Sequence, residues 1–519
     1  MNTLLKNAPV LLVFLTLAAF GWIWGGGGGH SDALMPTVAW LYLFLFEGLL
    51  FFPQRRPCED ALSARHRCWR ALGRDPLLWA TVLFLVLLLI PLVNRALCPV
   101  CDFAKIHELA ASAHVDPEDV AKPPIPFFPY CVDLKEHFDV VVWFLPALTA
   151  MLAAKHALLR QGKRVLMEML VWNAAAMAVF GFVEMATGAE FPYWTKAPAP
   201  VNFFSTFSYP NRAGSYFVMA FAFSVGLWQH RVSEAAAAPR DAQNKPVRQR
   251  ILLRWLRAHY PLAAVTLNFF GALCTLSRAA MILLFVLAAL AFVYYECALL
   301  FARHERTRCI RNAAFGVGGA LLFLLMVSVF APSGMSRELG TLSANGVADR
   351  VTGKTEYHVR VATDLFKDHP VFGVGGWGYR HLCRTKMTEK ENANVWCTGG
   401  ANVHNDYLQF LCEHGSVGCL LLLAILLLLV APLFMAWYGL YRTARFTKED
   451  KAPPKPRAIY CLPAGAFWIL LGDTALLIHA FGDCPLRSAA VLSHVLTVLP
   501  ALFGFLPHAV GEANRPGTK

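Results

Sequence analysis

HNDYLQFLCEHG, residues 404–415, runs directly into SVGCLLLLAILLLLVAPLFMAWYGL, residues 416–440. The second stretch is apolar over the length a helix needs to cross a bilayer. The first is short, polar on one side and opens with His404, so a histidine stands at the mouth of a short amphipathic helix beside a membrane span. Apolar blocks of similar length recur along the chain. With 57% hydrophobic and only 16% charged residues over 519 positions, they define a polytopic, all-α integral membrane protein.

Twelve spans are predicted, at roughly 8 to 24, 34 to 53, 77 to 97, 139 to 159, 165 to 187, 213 to 230, 260 to 277, 279 to 301, 313 to 332, 416 to 440, 459 to 482 and 488 to 507. The N-terminal apolar run is read as a retained first helix rather than a cleaved signal, because it is long for one and no small-x-small cleavage site follows it. The layout is then 1–332 with nine transmembrane helices and external loops 98–138 and 188–212, a large external loop at 333–415, and 416–519 with three helices and a tail.

Orientation follows from Lys and Arg. Arg55, Arg56, Arg65, Arg67, Arg70 and Arg74 crowd 54–76, Arg303, Arg306, Arg308 and Arg311 crowd 303–311, and the segments near 160–164, 231–258 and 442–457 are also basic. All fall on one side of the twelve-span layout, which the positive-inside rule makes cytoplasmic. Topology and anionic headgroups thus account for most of the net charge of +13, and nucleic acid is not an expected partner.

The long external loop carries two helices joined by a glycine-rich turn. From Val347 to Lys367 apolar residues recur at helical spacing, and Asp368-His369-Pro370 ends the run, since a residue before proline is pushed out of the helical region. Gly373-Val374-Gly375-Gly376-Trp377-Gly378 follows, a structural turn or a phosphate cradle. Cys383 with Cys397, and Cys131 with Cys98 or Cys101, are expected disulfides in an oxidising compartment; Cys98-Pro99-Val100-Cys101 has no second ligand pair that would make it a metal site.

Asp368-His369-Pro370-Val371-Phe372-Gly373-Val374-Gly375, His404-Asn405-Asp406-Tyr407-Leu408 with Glu413, Gly415 and Gly418, Pro210-Asn211 and Ser277-Arg278 together resemble the bacterial superfamily of O-antigen ligases, O-antigen polymerases and protein O-oligosaccharyltransferases. The resemblance covers about residues 200 to 440. It departs where an arginine near the start of the loop helix is displaced, leaving Arg350 or Lys354, and at Arg212, where many relatives differ.

The resemblance implies transfer of a glycan from undecaprenyl diphosphate to an acceptor hydroxyl at the periplasmic face of the inner membrane, without a cofactor. The acceptor is a lipid A core, a second glycan or a protein. Arginine suits a leaving diphosphate because its planar fork donates two hydrogen bonds and stays charged, which nominates Arg278 and Arg212. His404 is the candidate general base. Arg350, Lys354, Asn405, Gly373 and Gly375 are further candidates for substrate contact, Asn405 also as a helix cap. No Asp-x-Asp occurs, so metal-independent transfer is expected. A lipid-linked glycan transporter is the alternative of another class, with Asp473 and His479 in the eleventh span as its ionisable groups.

Overall fold

Asp75 and Pro76 illustrate how the chain starts its long helices: proline takes the first helical position, where its missing N–H costs nothing, and the Asp75 carboxylate accepts from Leu77 N at 3.0 Å. The computed structural model describes residues 2–23, 25, 50–97, 125, 128–196, 202–237, 247–303, 356–388, 402–446 and 462–506. Among them the helices are α1 (Asn2–Trp22), α2 (Ala61–Gly73), α3 (Pro76–Ala96), α4 (Leu134–His156), α5 (Arg160–Ala186), α6 (Pro210–Ala237), α7 (Val247–His259), α8 (Leu262–Cys274), α9 (Arg278–Arg303), α10 (Glu356–Asp368), α11 (Gly378–Leu382), α12 (Asp406–Phe446), α13 (Ala464–His479) and α14 (Ala489–Ala501). The described residues contain no strand beyond an isolated bridge between Phe204 and Phe207.

Among the described residues four helices are long and apolar enough to cross a membrane: α3, α4, α5 and α12 over Asp406–Gly439. Shorter apolar helices run through Ala8–Trp22, Arg278–Val293, Ala464–His479 and Ala489–Gly504. Ten of the twelve expected spans therefore coincide with a helix; those at 34–53 and 313–332 lie almost wholly outside the described residues. The basic connectors at 54–76 and 231–258 hold helices of their own, α2 and α7. Their apolar residues recur at helical spacing between the arginines, and exposed Trp69, Leu252, Trp255 and Leu256 line them, the pattern of helices that lie along an interface.

The chain divides into two compact units, each built from several segments. One comprises the described residues of Met1–Leu159, Ala344–Val430 and Leu477–Pro500. In it α3 and α4 run side by side, tied by Lys155 and His156 to Asp75 at 2.7 and 2.8 Å, and Phe410 of α12 packs on Phe84 and Phe144. A second core joins the loop to this frame. Val361, Ala362 and Leu365 of α10 close against Val374, Tyr379, Leu382, Cys383, Val403 and Cys412.

The other unit comprises the described residues of Arg160–Ser343, Ala431–Leu476 and Ala501–Lys519. Its helices approach closely through small residues, as helices in lipid do. A Cβ on Gly214 would lie 2.5 Å from Ala280 Cβ, and one on Gly226 would lie 2.9 Å from Trp468 Cβ. Polar contacts bridge its helices, Asn268 Nδ2 donating to Ser224 Oγ at 2.9 Å and Trp468 Nε1 to Gln229 Oε1 at 2.8 Å.

Candidate functional site

Gly415 separates the short helix from the span. It takes φ 63° and ψ −171° within α12, and a Cβ there would sit 2.3 Å from Val371 O, so glycine alone permits the close crossing of the two chains. Around it Ser416 N donates to Pro370 O and Val417 N to Val371 O, at 2.9 and 3.1 Å. The glycine-rich turn continues the lacing: Gly373 N donates to His369 O, Val374 N to Cys412 O and Gly375 N to Glu413 O, at 3.0, 3.1 and 2.8 Å. Gly376 N donates to His137 Nδ1 at 2.7 Å, leaving that ring's Nε2–H for Leu88 O at 2.8 Å. The N–H groups of Gly373 and Gly375, candidates for a phosphate cradle, are thus spent on backbone carbonyls, the first within the turn at His369 and the second on α12 at Glu413.

His404 precedes α12 in the left-handed region, with φ 55°, uncommon outside glycine. Asn405 is the cap: its Oδ1 accepts from Leu408 N at 3.0 Å. The His404 side chain is 44% exposed, and its Nδ1 lies 3.6 Å from Oδ1 of Asp483, whose side chain is 8% exposed. Asp483 is carried by the turn between α13 and α14. Asp406 N donates to Ala480 O at 2.9 Å, Leu486 N donates to Asp406 Oδ2 at 2.8 Å, and Tyr407 Oη donates to Leu477 O at 2.8 Å, which pins that turn to the start of α12.

Burial by itself would raise the Asp483 carboxyl, but His404 and the Cys484 N–H, donating at 2.7 Å, hold it down at about 2. The carboxylate is therefore ionised at any working pH. Facing Nδ1, it favours the tautomer that carries the proton there and leaves Nε2 able to accept. A second imidazole, His358, stands with its ring centroid 6.2 Å from that of His404. Its Nδ1 is 2.6 Å from Tyr379 Oη, and burial, then the neighbouring His404, push it down to about 4, so it is neutral.

Beneath this lies a buried ion pair. Arg487 Nη2 donates to Glu413 Oε2 at 2.5 Å, with side chains 9% and 1% exposed, and Arg487 Nε stands 3.9 Å from Asp406 Oδ1. The guanidinium also lies 4.4 Å from the Trp377 ring centroid. Glu413, part of the sequence motif that opens at His404, is thus the anchor of a charge in the turn that carries Asp483.

In the other unit Arg212 and Arg278 occupy the first turns of α6 and α9. The two helix ends meet where Gly214 faces Ser277 and Ala280, so both arginines are at one end of a packed helix pair. Ser277 Oγ accepts from Ala280 N at 3.4 Å as α9 begins. Arg212 stacks 5.6 Å from the Tyr209 ring centroid, and its buried Nε has no hydrogen-bond partner among the described residues. Arg350, Lys354, Cys98, Cys101 and Cys397 lie outside the described residues, so neither those cation candidates nor the expected disulfides have a described geometry. Cys383 and Cys131 are both buried.

Sequence reasoning missed Asp483, Arg487 and His358. A signal for the first two was present: on the twelve-span layout, 483–487 is an external connector that holds an aspartate and an arginine between two apolar runs. His358 sits on the apolar face of α10 and carries no such signal.

Residues 263–423 match the family model described as O-Antigen ligase, in line with the superfamily that the sequence motifs resemble. Comparison with curated proteins gives no match.

Proposed function

We propose that the chain is an O-antigen ligase-like glycosyltransferase of the bacterial inner membrane that moves a glycan from undecaprenyl diphosphate to an acceptor hydroxyl at the periplasmic face, independently of metal. The observation that carries it is His404, half exposed and set against a buried, ionised Asp483. His404 Nε2 accepts the acceptor's hydroxyl proton as that oxygen bonds to the anomeric carbon, and the bond from that carbon to the diphosphate oxygen breaks. Asp483 compensates the positive charge the ring takes up.

The leaving diphosphate needs cations that stay charged and can donate in pairs, which Arg278 and Arg212 supply beside two helix N-termini whose dipoles favour the same anion. The unsatisfied Arg212 Nε supports this role. The family match spans both Arg278 and His404. Twelve spans with cytoplasmic termini, the external loops 98–138 and 333–415, and the contacts of Arg350 or Lys354 with substrate belong to the same reading.

The test is product formation by purified protein from an undecaprenyl-diphosphate glycan offered separately lipid A core, a second lipid-linked glycan and an acceptor protein. Product with lipid A core supports the ligase; product only with one of the others makes the chain a polymerase or a protein O-oligosaccharyltransferase. One observation favours a transporter instead, since the Asp473 carboxyl is buried within α13 with no hydrogen-bond partner among the described residues. Movement of the lipid-linked glycan across vesicles without any transfer would establish that reading.

A further inference from the structure

His404, Asp483 and Cys484 present one donor atom each, an imidazole nitrogen, a carboxylate oxygen and a thiol sulfur, all within 4.8 Å of one another. This is the mixed N/O/S set that Zn²⁺ favours, with bonds of about 2.0 Å to N and O and about 2.3 Å to S, so tetrahedral ligands stand about 3.5 Å apart. Two edges of the triangle already have that length: His404 Nδ1 to Asp483 Oδ1 is 3.6 Å, and Cys484 Sγ to Asp483 Oδ1 is 3.3 Å. The remaining edge, from histidine to cysteine, is at most 4.8 Å, and a rotation of the half-exposed imidazole would bring it to the same length. The site is closed on the side of Cys484, which is 1% exposed, and open at His404, which leaves an entry path and a fourth position for water.

We propose that these three residues form a binding site for a thiophilic divalent transition-metal ion, Zn²⁺, and that its occupancy switches transfer off. On binding, the Cys484 thiol becomes a thiolate and one proton is released to solvent. The ion takes the lone pair of Nδ1, which forces the ring's remaining proton onto Nε2. The nitrogen that would receive the acceptor proton is then already protonated. The ion is no cofactor: transfer runs without it and stops with it. The binding half stands by itself, whereas the inhibition half rests on His404 acting as the base.

The experiment uses the full-length detergent-purified protein, stripped of metal and titrated with Zn²⁺ and separately with Co²⁺. X-ray absorption of the one-equivalent zinc form is expected to show one sulfur and two or three N/O neighbours, and the cobalt form a thiolate charge-transfer band. In Cys484→Ser, with an unchanged thermal midpoint as the control for folding, the sulfur neighbour and the band disappear and zinc affinity falls at least about tenfold. In His404→Gln, which leaves the thiol in place, the band remains while affinity falls. Transfer by the wild type declines in step with zinc occupancy and returns on chelation. A shell of N and O only in the wild type, or a sulfur shell unchanged in Cys484→Ser, overturns the site. Saturable sulfur-containing binding without loss of transfer overturns the switch. Absence of transfer from metal-free wild type speaks against the glycosyltransferase reading, while the binding measurements still decide the site.

Discussion

His404 Nδ1 lies 3.6 Å from Asp483 Oδ1, although one residue precedes α12 and the other sits in the turn between α13 and α14. The pair exists because Asp406, Tyr407 and that turn are laced together by three hydrogen bonds. Asp483→Asn keeps the shape and loses the charge, so the ring's protonated state goes uncompensated. Turnover should fall about 10- to 100-fold with donor KM nearly unchanged, against about 10² to 10⁴-fold for His404→Ala. The double variant should be no worse than His404→Ala, as measured by steady-state transfer with a fluorescent acceptor.

Arg278→Ala removes a cation the diphosphate needs both when bound and as it leaves, so KM for the donor should rise and turnover should fall together. Arg278→Lys should recover only part, because a point charge cannot replace the two-pronged guanidinium. Arg212→Ala should behave in the same way, since its Nε makes no hydrogen bond among the described residues and is left for the diphosphate. Donor titrations with each variant in nanodiscs measure both quantities.

Glu413→Gln leaves Arg487 buried without its 2.5 Å partner. Removing one member of a buried pair costs about 3 to 5 kcal/mol, so the thermal midpoint should drop sharply. Replacing both, Glu413→Gln with Arg487→Met, should cost less than the single change. A double variant less stable than Glu413→Gln would show that the arginine's stacking on Trp377 matters more than its charge partner.

Stability should fall as the pH is lowered from about 6.5 to about 4. Over that interval the unfolded chain protonates His358 while the folded chain, holding that group at about 4, does not, so acid favours unfolding. His358→Gln should flatten this part of the thermal-midpoint profile. Asp483 acts only at lower pH: held at about 2, it adds stability above its ordinary value near 3.8 that is lost as the pH falls through about 2. Acid loss of transfer near neutrality should therefore survive in Asp483→Asn, because it is not Asp483 that titrates there.

Residue 390 should be reached by a membrane-impermeant thiol reagent applied from the periplasmic side once a cysteine is placed there, while cysteines at residues 307 and 450 should be labelled only after the inner membrane is opened. Labelling of residue 390 from the cytoplasm alone would reverse the assigned orientation.

Much of this protein is legible without coordinates. Apolar blocks such as 416–440 fix helices, because a backbone in lipid has to satisfy its own hydrogen bonds; Pro370 and Gly415 mark where α10 and the short helix end, because each restricts or frees φ in a way the neighbours cannot. The motif around His404 pointed to the superfamily whose model matches residues 263–423. The turn of Gly373 to Gly378 was half legible: its glycines announce a close approach, but whether to a ligand or to α12 is set by which carbonyls are within reach, and those belong to Cys412 and Glu413.

What the tertiary structure alone decided are the partners. Asp483 is one aspartate in a short connector, Glu413 one glutamate at a helix end and His358 one histidine on an apolar face, and nothing in their local sequence distinguishes them from solvated or core residues. Their roles come from burial and from charges brought close by the packing of segments far apart in the chain. Periodicity and hydropathy are local properties and can be read along the sequence; the field at an ionisable side chain is the sum over whatever packs against it, and only the folded arrangement specifies that sum.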